Sequence, residues 1–257
     1  LKLCPWAKYR KNKGGIKMHT LVDLRGNLPV SVYLTSASVN DVKALDDLYI
    51  EPSAIYLMDR GYVDFNRLFK LITKKNAFFV TRAKDNMLFE VVSEAEVDKS
   101  TGIISDERIK LTGLHTAKWY PEELRMVTYE DYATSKVYRF LTNNMEYEAL
   151  TISELYRERW NVELYFKWIK QHLHIKSFYG TSENAIYLQI WIAICTYLLL
   201  AYAKKVMHID QSLHTISKNV GLFLTDKTPL NELFNKAVPT EETEDWLYPS
   251  LFRPDDF

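Results

Sequence analysis

Cysteine is scarce in this sequence, and its scarcity excludes two common ways of stabilising a small fold. The 257 residues contain two cysteines, Cys4 and Cys195, too few for a disulfide framework. Neither has the spacing of a metal-binding pair, and His172 and His174 have no cysteine at zinc-site spacing. These features favour a protein of the reducing cytoplasm.

Net charge is also lacking, because 33 lysines and arginines balance 33 aspartates and glutamates. The charges are unevenly distributed, since the first 20 residues contain no acid and carry six bases: Lys2, Lys8, Arg10, Lys11, Lys13 and Lys17. Residues 241–256 are acidic instead, with a single base, Arg253. A neutral protein with such opposed regions can carry a basic track for a polyanion. A solvated basic loop is the alternative interpretation of the opening.

One long uncharged run, AIYLQIWIAICTYLLLAYA at residues 185–203, approaches the length of a membrane span. Its Gln189, Thr196 and three tyrosines favour a buried core helix, so no membrane partner is expected. The sequence shows no leader peptide, internal repeat or low-complexity segment. The first residue is Leu rather than Met, which indicates a fragment.

Hydrophobic periodicity predicts an α/β protein. The length and 47% hydrophobic content suit one sizeable core with a smaller appended domain. The expected order is strands at 15–24 and 29–36, a helix at 41–50, a strand ending at Asp59, a helix at 65–75 with Asp64 as its N-cap, a strand at 77–83, β-rich residues 86–145 and a helix at 148–173.

Asp59 is the first candidate site residue. It ends the apolar run of residues 54–61, AIYLMDRG, which Gly61 interrupts. A carboxylate there would emerge at a strand end, where open α/β sheets build their sites. The alternative is that Asp59 only terminates the strand.

A second candidate set lies on the helix predicted at 148–173. Its spacing Y-x2-R-x3-E-x6-K places four residues on a stripe about 60° wide: Tyr156, Arg159, Glu163 and Lys170. An apolar stripe for core packing lies on a neighbouring face of the same helix. Trp160 and Lys167 accompany the polar stripe, and rings interleaved with cations suit DNA binding through phosphate contacts and base stacking. A solvated helix face with ion pairs is the alternative.

The run YRERWNVELYFKWIK resembles the YREK signature of bacterial insertion-sequence transposases of the DDE type, cut-and-paste enzymes with a ribonuclease H-like core. The resemblance implies that Glu163 and Asp59 are the third and second carboxylates of a triad that holds two divalent ions, Mg²⁺ or Mn²⁺. It also implies that Tyr156, Arg159, Lys170, Lys167, Trp160 and the basic opening with Arg10, Lys11 and Lys13 bind DNA. Such ions clamp the attacking and leaving oxygens of a phosphodiester, and no covalent protein intermediate is needed.

The resemblance further implies a ribonuclease H-like mixed sheet flanked by helices, with its first strand truncated. Residues 1–85 and 148–206 would form the core, 86–147 a β-rich insertion, and 207–257 a C-terminal segment for dimerisation. The partners would be terminal inverted repeats and target DNA, bound by a homodimer at the nucleoid.

The family's first catalytic Asp precedes the PWA motif, and no acid precedes Asp23 here. We therefore expect two ligands of three and a weak or inactive nuclease. A DNA-binding transposase remnant and a ribonuclease H-like nuclease of other purpose stay open as alternatives.

Overall fold

The computed structural model describes residues 5–10, 13–173, 175, 177–225, 227 and 229–235. These residues divide between two compact units. Among the described residues, the first comprises those up to Ser38 and those from Val162 onward, and the second comprises Val39–Asn161. The chain therefore leaves the first unit after the opening hairpin and returns to it shortly after residue 161.

The strands and helices are numbered in chain order. The strands are β1 (Lys8–Arg10), β2 (Lys13–Gly14), β3 (Ile16–Asp23), β4 (Leu28–Ser36), β5 (Ile55–Leu57), β6 (Phe78–Arg82), β7 (Phe89–Glu94), β8 (Ile103–Leu111), β9 (Leu124–Asp131) and β10 (Lys136–Thr142). The α-helices are α1 (Phe65–Arg67), α2 (Thr116–Trp119), α3 (Ala149–Glu158), α4 (Asn161–His172), α5 (Glu183–Val206), α6 (Leu213–Leu222) and α7 (Leu230–Asn235).

The first unit is built around the antiparallel β3–β4 hairpin and the long helix α5. Ile186, Ile190 and Ile194 of α5 form a core with apolar side chains of the hairpin, such as Met18 and Val32. Helix α4 joins through a second cluster, in which its buried Tyr165 and Ile169 meet α5. The Tyr197 hydroxyl donates to the backbone oxygen of Asn27 in the hairpin turn, at 2.9 Å. Helix α5 is thus the central element of this unit.

The second unit contains a six-stranded mixed sheet in the order β5-β6-β10-β9-β8-β7. Strands β5 and β6 are parallel, and the other neighbours are antiparallel. Helix α3 packs on this sheet through Ile152 and Tyr156, which contact a cluster that includes Val80, Val127 and Phe140. The predicted α/β class, with a mixed sheet flanked by helices, is confirmed.

Several predicted elements are present where the sequence placed them. The hairpin strands match β3 and β4, and the apolar run before Asp59 contains β5. Asp64 is the N-cap of α1, because its carboxylate accepts the Arg67 N–H at 3.0 Å. The helix expected at 65–75 continues past α1 as a π-turn and a 3₁₀ turn up to Lys75. These elements share local signals: alternation, a capping residue and turn residues.

Two predicted helices differ from the structure. The helix expected at 41–50 is a 3₁₀ helix, Asp41–Asp47, capped by Asn40. The helix expected at 148–173 is divided into α3 and α4, because the N–H groups of Arg159 and Trp160 bond to carbonyls three residues back. Trp160 lies between the two helices, and it is followed by two more modest helix formers, Asn161 and Val162, so the local sequence does little to keep the helix continuous. The strands expected in the β-rich segment are β7 to β10, and they belong to the same sheet as β5 and β6.

Helix α5 is the one helix among the described residues that is long and apolar enough to cross a membrane. One of its faces lies in the core of the first unit, so the expectation of a buried core helix holds for that face, whereas the opposite face is exposed. Of the segment 207–257, the structure describes α6 and α7, whereas residues 236–257 lie outside the described part of the chain.

A histidine pair is expected to make the stability of the first unit depend on pH. The His172 and His214 rings, on α4 and α6, lie 4.1 Å apart between centroids. The pKa of His172 is lowered, mainly by burial and further by His214 and Lys218. As the pH falls through about 6.5, His172 is protonated in the unfolded chain before it is protonated in the folded chain. The free energy of unfolding therefore falls with pH until the lower pKa of folded His172 is passed. Urea unfolding between pH 8 and 5 should show this decline, and His172→Gln should flatten it. An equal decline in His172→Gln would assign the dependence to other groups.

Candidate active site

Asp59 lies at the carboxyl end of the parallel strand pair in the second unit. The Met58 N–H still donates to the Val80 carbonyl at 3.0 Å, so strand pairing continues up to the residue before Asp59. Asp59 is exposed, and its Oδ1 accepts the Gly61 N–H at 2.8 Å, which caps the 3₁₀ turn Arg60–Tyr62. This turn holds the carboxylate at the sheet edge. Asp59 does terminate a strand, and the same geometry leaves its carboxylate facing solvent.

The residues after Asp59 fit closely around it. A Cβ atom at Gly61 would lie 3.2 Å from Asp59 Oδ1, which is tighter than ordinary contact, so glycine permits the carboxylate to sit over the turn. Burial raises the pKa of Tyr62 to about 12, and the negative charges of Asp41 and Asp59 add to the rise. Tyr62 therefore keeps its proton beside the carboxylate at neutral pH.

Arg82 is a further candidate residue that the sequence analysis did not name. The parallel register pairs Leu57 of β5 with Val80 of β6. If this register is continued by two residues beyond the strand pair, Asp59 lies opposite Arg82, the last residue of β6. The Arg82 guanidinium carbon lies 5.1 Å from the ring centre of Tyr138. The sequence feature that could have identified Arg82 is a cation near the end of the strand predicted at 77–83. The carboxyl ends of neighbouring parallel strands lie at the same edge of a sheet, so this cation is expected near Asp59.

Tyr156 is buried, with 3% of its surface exposed, and its ring lies 4.9 Å from that of Phe140. The prediction that its ring is exposed for base stacking is therefore wrong. The pKa of Tyr156 is raised to about 12, mainly by burial and in addition by the Asp59 carboxylate, while Arg159 and Arg82 oppose the rise. The hydroxyl is thus within electrostatic reach of all three charged groups. The Arg159 guanidinium carbon lies 5.6 Å from the Tyr156 ring centre.

Glu163 lies in the first unit, in the first turn of α4, and is half-buried. Lys167 and Lys170 follow it at i+4 and i+7, so the three residues share one face of α4. Both lysines are exposed, and Lys170 Nζ lies 5.8 Å from the ring centre of Phe166. The opposite face is anchored by the buried Ile169. The break between α3 and α4 means that Tyr156 and Arg159 belong to a different helix from Glu163.

The remaining candidates for DNA binding are less well defined. Trp160, in the turn between α3 and α4, is half-buried. Arg10 and Lys13 lie on β1 and β2, but their side chains are outside the described part of the structure, as is the whole of Lys11.

The donors offered by Asp59 and Glu163 fit a hard divalent cation in kind, since both supply carboxylate oxygens. Among the described residues, no three His, Cys, Asp or Glu side chains are grouped so that they could hold a metal ion. Asp59 belongs to the second unit and Glu163 to the first. Each unit therefore offers one candidate carboxylate ligand, and neither unit has a complete set of metal ligands among its described residues.

Comparison with known proteins identifies the family. The family model described as "Transposase DDE domain" matches residues 4–199, which is most of the chain and includes Asp59 and Glu163. The chain belongs to the DDE transposase domain family. The predicted DDE type of insertion-sequence transposase is thereby confirmed.

Curated members of the family include several relatives of this DDE domain. The chain is 37% identical to transposase y4zB of Sinorhizobium fredii over 212 residues. This alignment covers 81% of the chain and 59% of the relative. The chain is 29% identical over 231 residues to a transposase for insertion sequence element IS5377 of Geobacillus stearothermophilus, covering 88% of the chain and 60% of the relative. A transposase for element IS4SA of Synechocystis is 26% identical over 217 residues, covering 82% of the chain and 57% of the relative.

This DDE domain thus spans somewhat under two thirds of the length of the curated relatives that it matches. No solved structure matches the chain significantly.

Proposed function

We propose that this chain is the catalytic part of a DNA transposase, which cleaves the ends of an insertion sequence and joins the released 3′ ends to new DNA. The observation that carries the proposal is the family match across residues 4–199, supported by relatives named as transposases. The position of Asp59 at the carboxyl end of β5 adds to it, because such sheet edges are where α/β proteins build their sites.

In this proposal Asp59 and Glu163 are ligands of two divalent ions, Mg²⁺ or Mn²⁺. When bound, the ions would activate the attacking oxygen and stabilise the leaving oxygen of a phosphodiester. The Gly61 N–H orients Asp59, and α4, anchored through Ile169, orients Glu163. Each carboxylate is therefore supported by its own unit.

The cations near these carboxylates are proposed to hold the DNA backbone. Arg159 and Arg82 lie near the Tyr156 hydroxyl in the second unit, and Lys167 and Lys170 project from α4 in the first. The ring of Tyr156 packs in the core, and the Arg159 guanidinium lies against this ring, so Tyr156 positions Arg159 in this proposal. Trp160 and the basic opening with Arg10, Lys11 and Lys13 complete the proposed DNA contacts. The cations provide binding energy that depends on salt and not on base sequence.

The proposed partners are double-stranded DNA of the terminal inverted repeats and target DNA. Cutting both ends of one element requires two active sites, so we expect a homodimer on the DNA. The expected location is the cytoplasm, at the nucleoid.

The proposal is tested by incubating the chain with Mg²⁺ and labelled double-stranded DNA taken from both sides of its reading frame. Transposase activity predicts nicks that leave 3′-hydroxyl ends at one position on each side. Cleavage at unrelated positions would support a nuclease of other purpose. Specific binding without any cleavage would support the DNA-binding remnant.

Arg159→Ala and Lys170→Ala should each weaken DNA binding. Each lost phosphate contact lowers the slope of log K against log salt by roughly 0.9. Fluorescence anisotropy with the same DNA between 50 and 300 mM salt measures that slope. Lys74→Ala is the matched control, because Lys74 is exposed and paired with Glu122 at 2.8 Å. If the two variants keep the slope of the unmodified chain, these side chains do not contact phosphates.

A further inference from the structure

Helix α5 carries an exposed apolar stripe along the face opposite its buried one. We call the following six residues the α5 seam: Leu188, Ile192, Cys195, Leu199, Tyr202 and Val206. Cys195 is exposed, and each of the other five exposes between 53% and 69% of its surface. Trp191 flanks the seam and is also exposed. Monomeric proteins rarely leave a continuous apolar stripe of this length in water.

The seam has the spacing of a helix–helix interface. Successive members are separated by 4, 3, 4, 3 and 4 residues, which is the alternation that keeps apolar side chains on one line facing a partner helix. Between Asn184 and Ala203 the helix has no charged residue at all. The repeat is therefore uninterrupted over most of α5.

A lipid bilayer does not suit this helix, although its length and hydropathy would allow one. Its opposite face is fixed in protein by buried Ile186, Ile190 and Ile194. Gln189 Nε2 donates to the Ser177 carbonyl at 2.8 Å, and the Tyr197 hydroxyl donates to the hairpin turn. Insertion into a membrane would break these contacts, whereas a partner that covers only the seam would keep them.

The seam is complementary to itself in an antiparallel arrangement. A two-fold axis between positions 195 and 199 matches every member with another: Leu188 with Val206, Ile192 with Tyr202, and Cys195 with Leu199. No seam residue is left unmatched, and the small Cys195 and Val206 each meet a leucine. One interface made from the same patch on both copies is the usual form of a two-fold dimer.

The charges at the ends of α5 favour the same direction. Glu183 begins the helix, and Lys204 and Lys205 are near its end. Antiparallel packing brings the acidic end of one copy to the basic end of the other and opposes the two helix dipoles, whereas parallel packing would place like charges together. Covering the seam and Trp191 would bury on the order of 700 Å² per copy, close to the ~800 Å² of a standard interface.

We infer that the α5 seam is the interface of a homodimer, formed with a second copy of this chain by antiparallel α5–α5 packing. This interface gives a specific form to the homodimer of the proposed function and rests on it in that respect, but its test is separate because the contact needs neither DNA nor metal.

Cysteine cross-linking tests both the contact and its direction. With Cys4 replaced by serine, Leu199→Cys combined with the native Cys195 should give a covalent dimer under mild oxidation, because the two positions face each other across the axis. Cys195 alone, or Leu199→Cys combined with Cys195→Ser, should stay monomeric. In those variants the thiols are offset by about 6 Å along the helix axis as well as across the interface, which exceeds disulfide reach.

Light scattering gives an independent readout. The unmodified chain should have twice the mass of one copy, Leu199→Glu should have the mass of one copy with an unchanged circular dichroism spectrum, and Leu222→Glu should remain dimeric. Leu222 is the matched control because it is an exposed leucine outside the seam. The inference is overturned by a single-copy mass at all concentrations, by a dimer that Leu199→Glu leaves intact, or by cross-linking through Cys195 alone. Binding of the monomeric chain to phosphatidylcholine vesicles would overturn it in favour of a membrane.

Discussion

Replacing Glu163 by glutamine, or Asp59 by asparagine, is expected to abolish Mg²⁺-dependent cleavage of insertion-sequence ends, which the sequence predicts to be weak in this chain. The same change in a complete site costs on the order of 10³-fold or more. Each substitution keeps the size of the side chain and removes the negative charge that a divalent ion requires. The rate of nicking is measured on DNA that flanks the reading frame, at saturating DNA. Specific DNA binding should change far less, because the proposed phosphate contacts come from arginines and lysines.

The controls are carboxylates of the same types that lie outside the candidate site. Asp85→Asn is matched to Asp59→Asn, since the Asp85 side chain is 88% exposed in the same unit. Glu154→Gln is matched to Glu163→Gln, since Glu154 is an exposed residue of α3. Both controls should cleave like the unmodified chain. If Glu163→Gln or Asp59→Asn cleaves as fast as these controls, that residue is not a metal ligand.

The largest expected effect on stability comes from Arg125. This residue of β9 is buried and bonds to Asp106 of β8 through Nε and Nη2, both at 2.7 Å. Its Nη1 donates to the carbonyls of Asn144 and Tyr147, in the segment that leads into α3. Arg125→Met would leave a carboxylate and two carbonyls without their donor in a mostly dry site, at a cost of about 3–5 kcal/mol. The pair also fixes the start of the helix that carries Tyr156.

Thermal unfolding of the variants measures this effect. Arg125→Met should lower the melting temperature by about 10 °C, at roughly 2–4 °C per kcal/mol for a chain of this size. Arg139→Ala, whose partner Asp85 is 3.5 Å away at the surface, should cost less than about 1 kcal/mol. Arg125→Met combined with Asp106→Leu should recover part of the loss, because no charge is then left unpaired. An unchanged melting temperature in Arg125→Met would mean that the pair does not hold the sheet to α3.

The sequence predicted those features that depend on neighbouring residues. The Asp64 cap, the β3–β4 hairpin and the strand before Asp59 each follow from a few adjacent side chains. Helix α5 was also expected, because its apolar run is long and free of Gly and Pro. The family follows from motifs whose residues are close together in the chain.

The features that the sequence did not predict depend on long-range packing. Tyr156 is buried because α3 lies on the sheet against Phe140, and spacing within a helix cannot show which of its faces meets a sheet. Arg82 becomes a candidate site residue only through the β5–β6 register. The break after α3 was missed because the apolar periodicity continues through Arg159 and Trp160, where the backbone bonds tighten.

The most direct test of the proposed site is cleavage of the protein itself by bound iron. Fe²⁺ occupies oxygen sites made for Mg²⁺ and, with ascorbate and peroxide, cuts the backbone next to where it is bound. We predict fragments that end near Asp59 and near Glu163, both suppressed by excess Mg²⁺ and both absent in Asp59→Asn and in Glu163→Gln, while Asp85→Asn keeps them. Cuts near only one of the two residues, or cuts that survive these substitutions, would contradict the assignment of both residues as metal ligands.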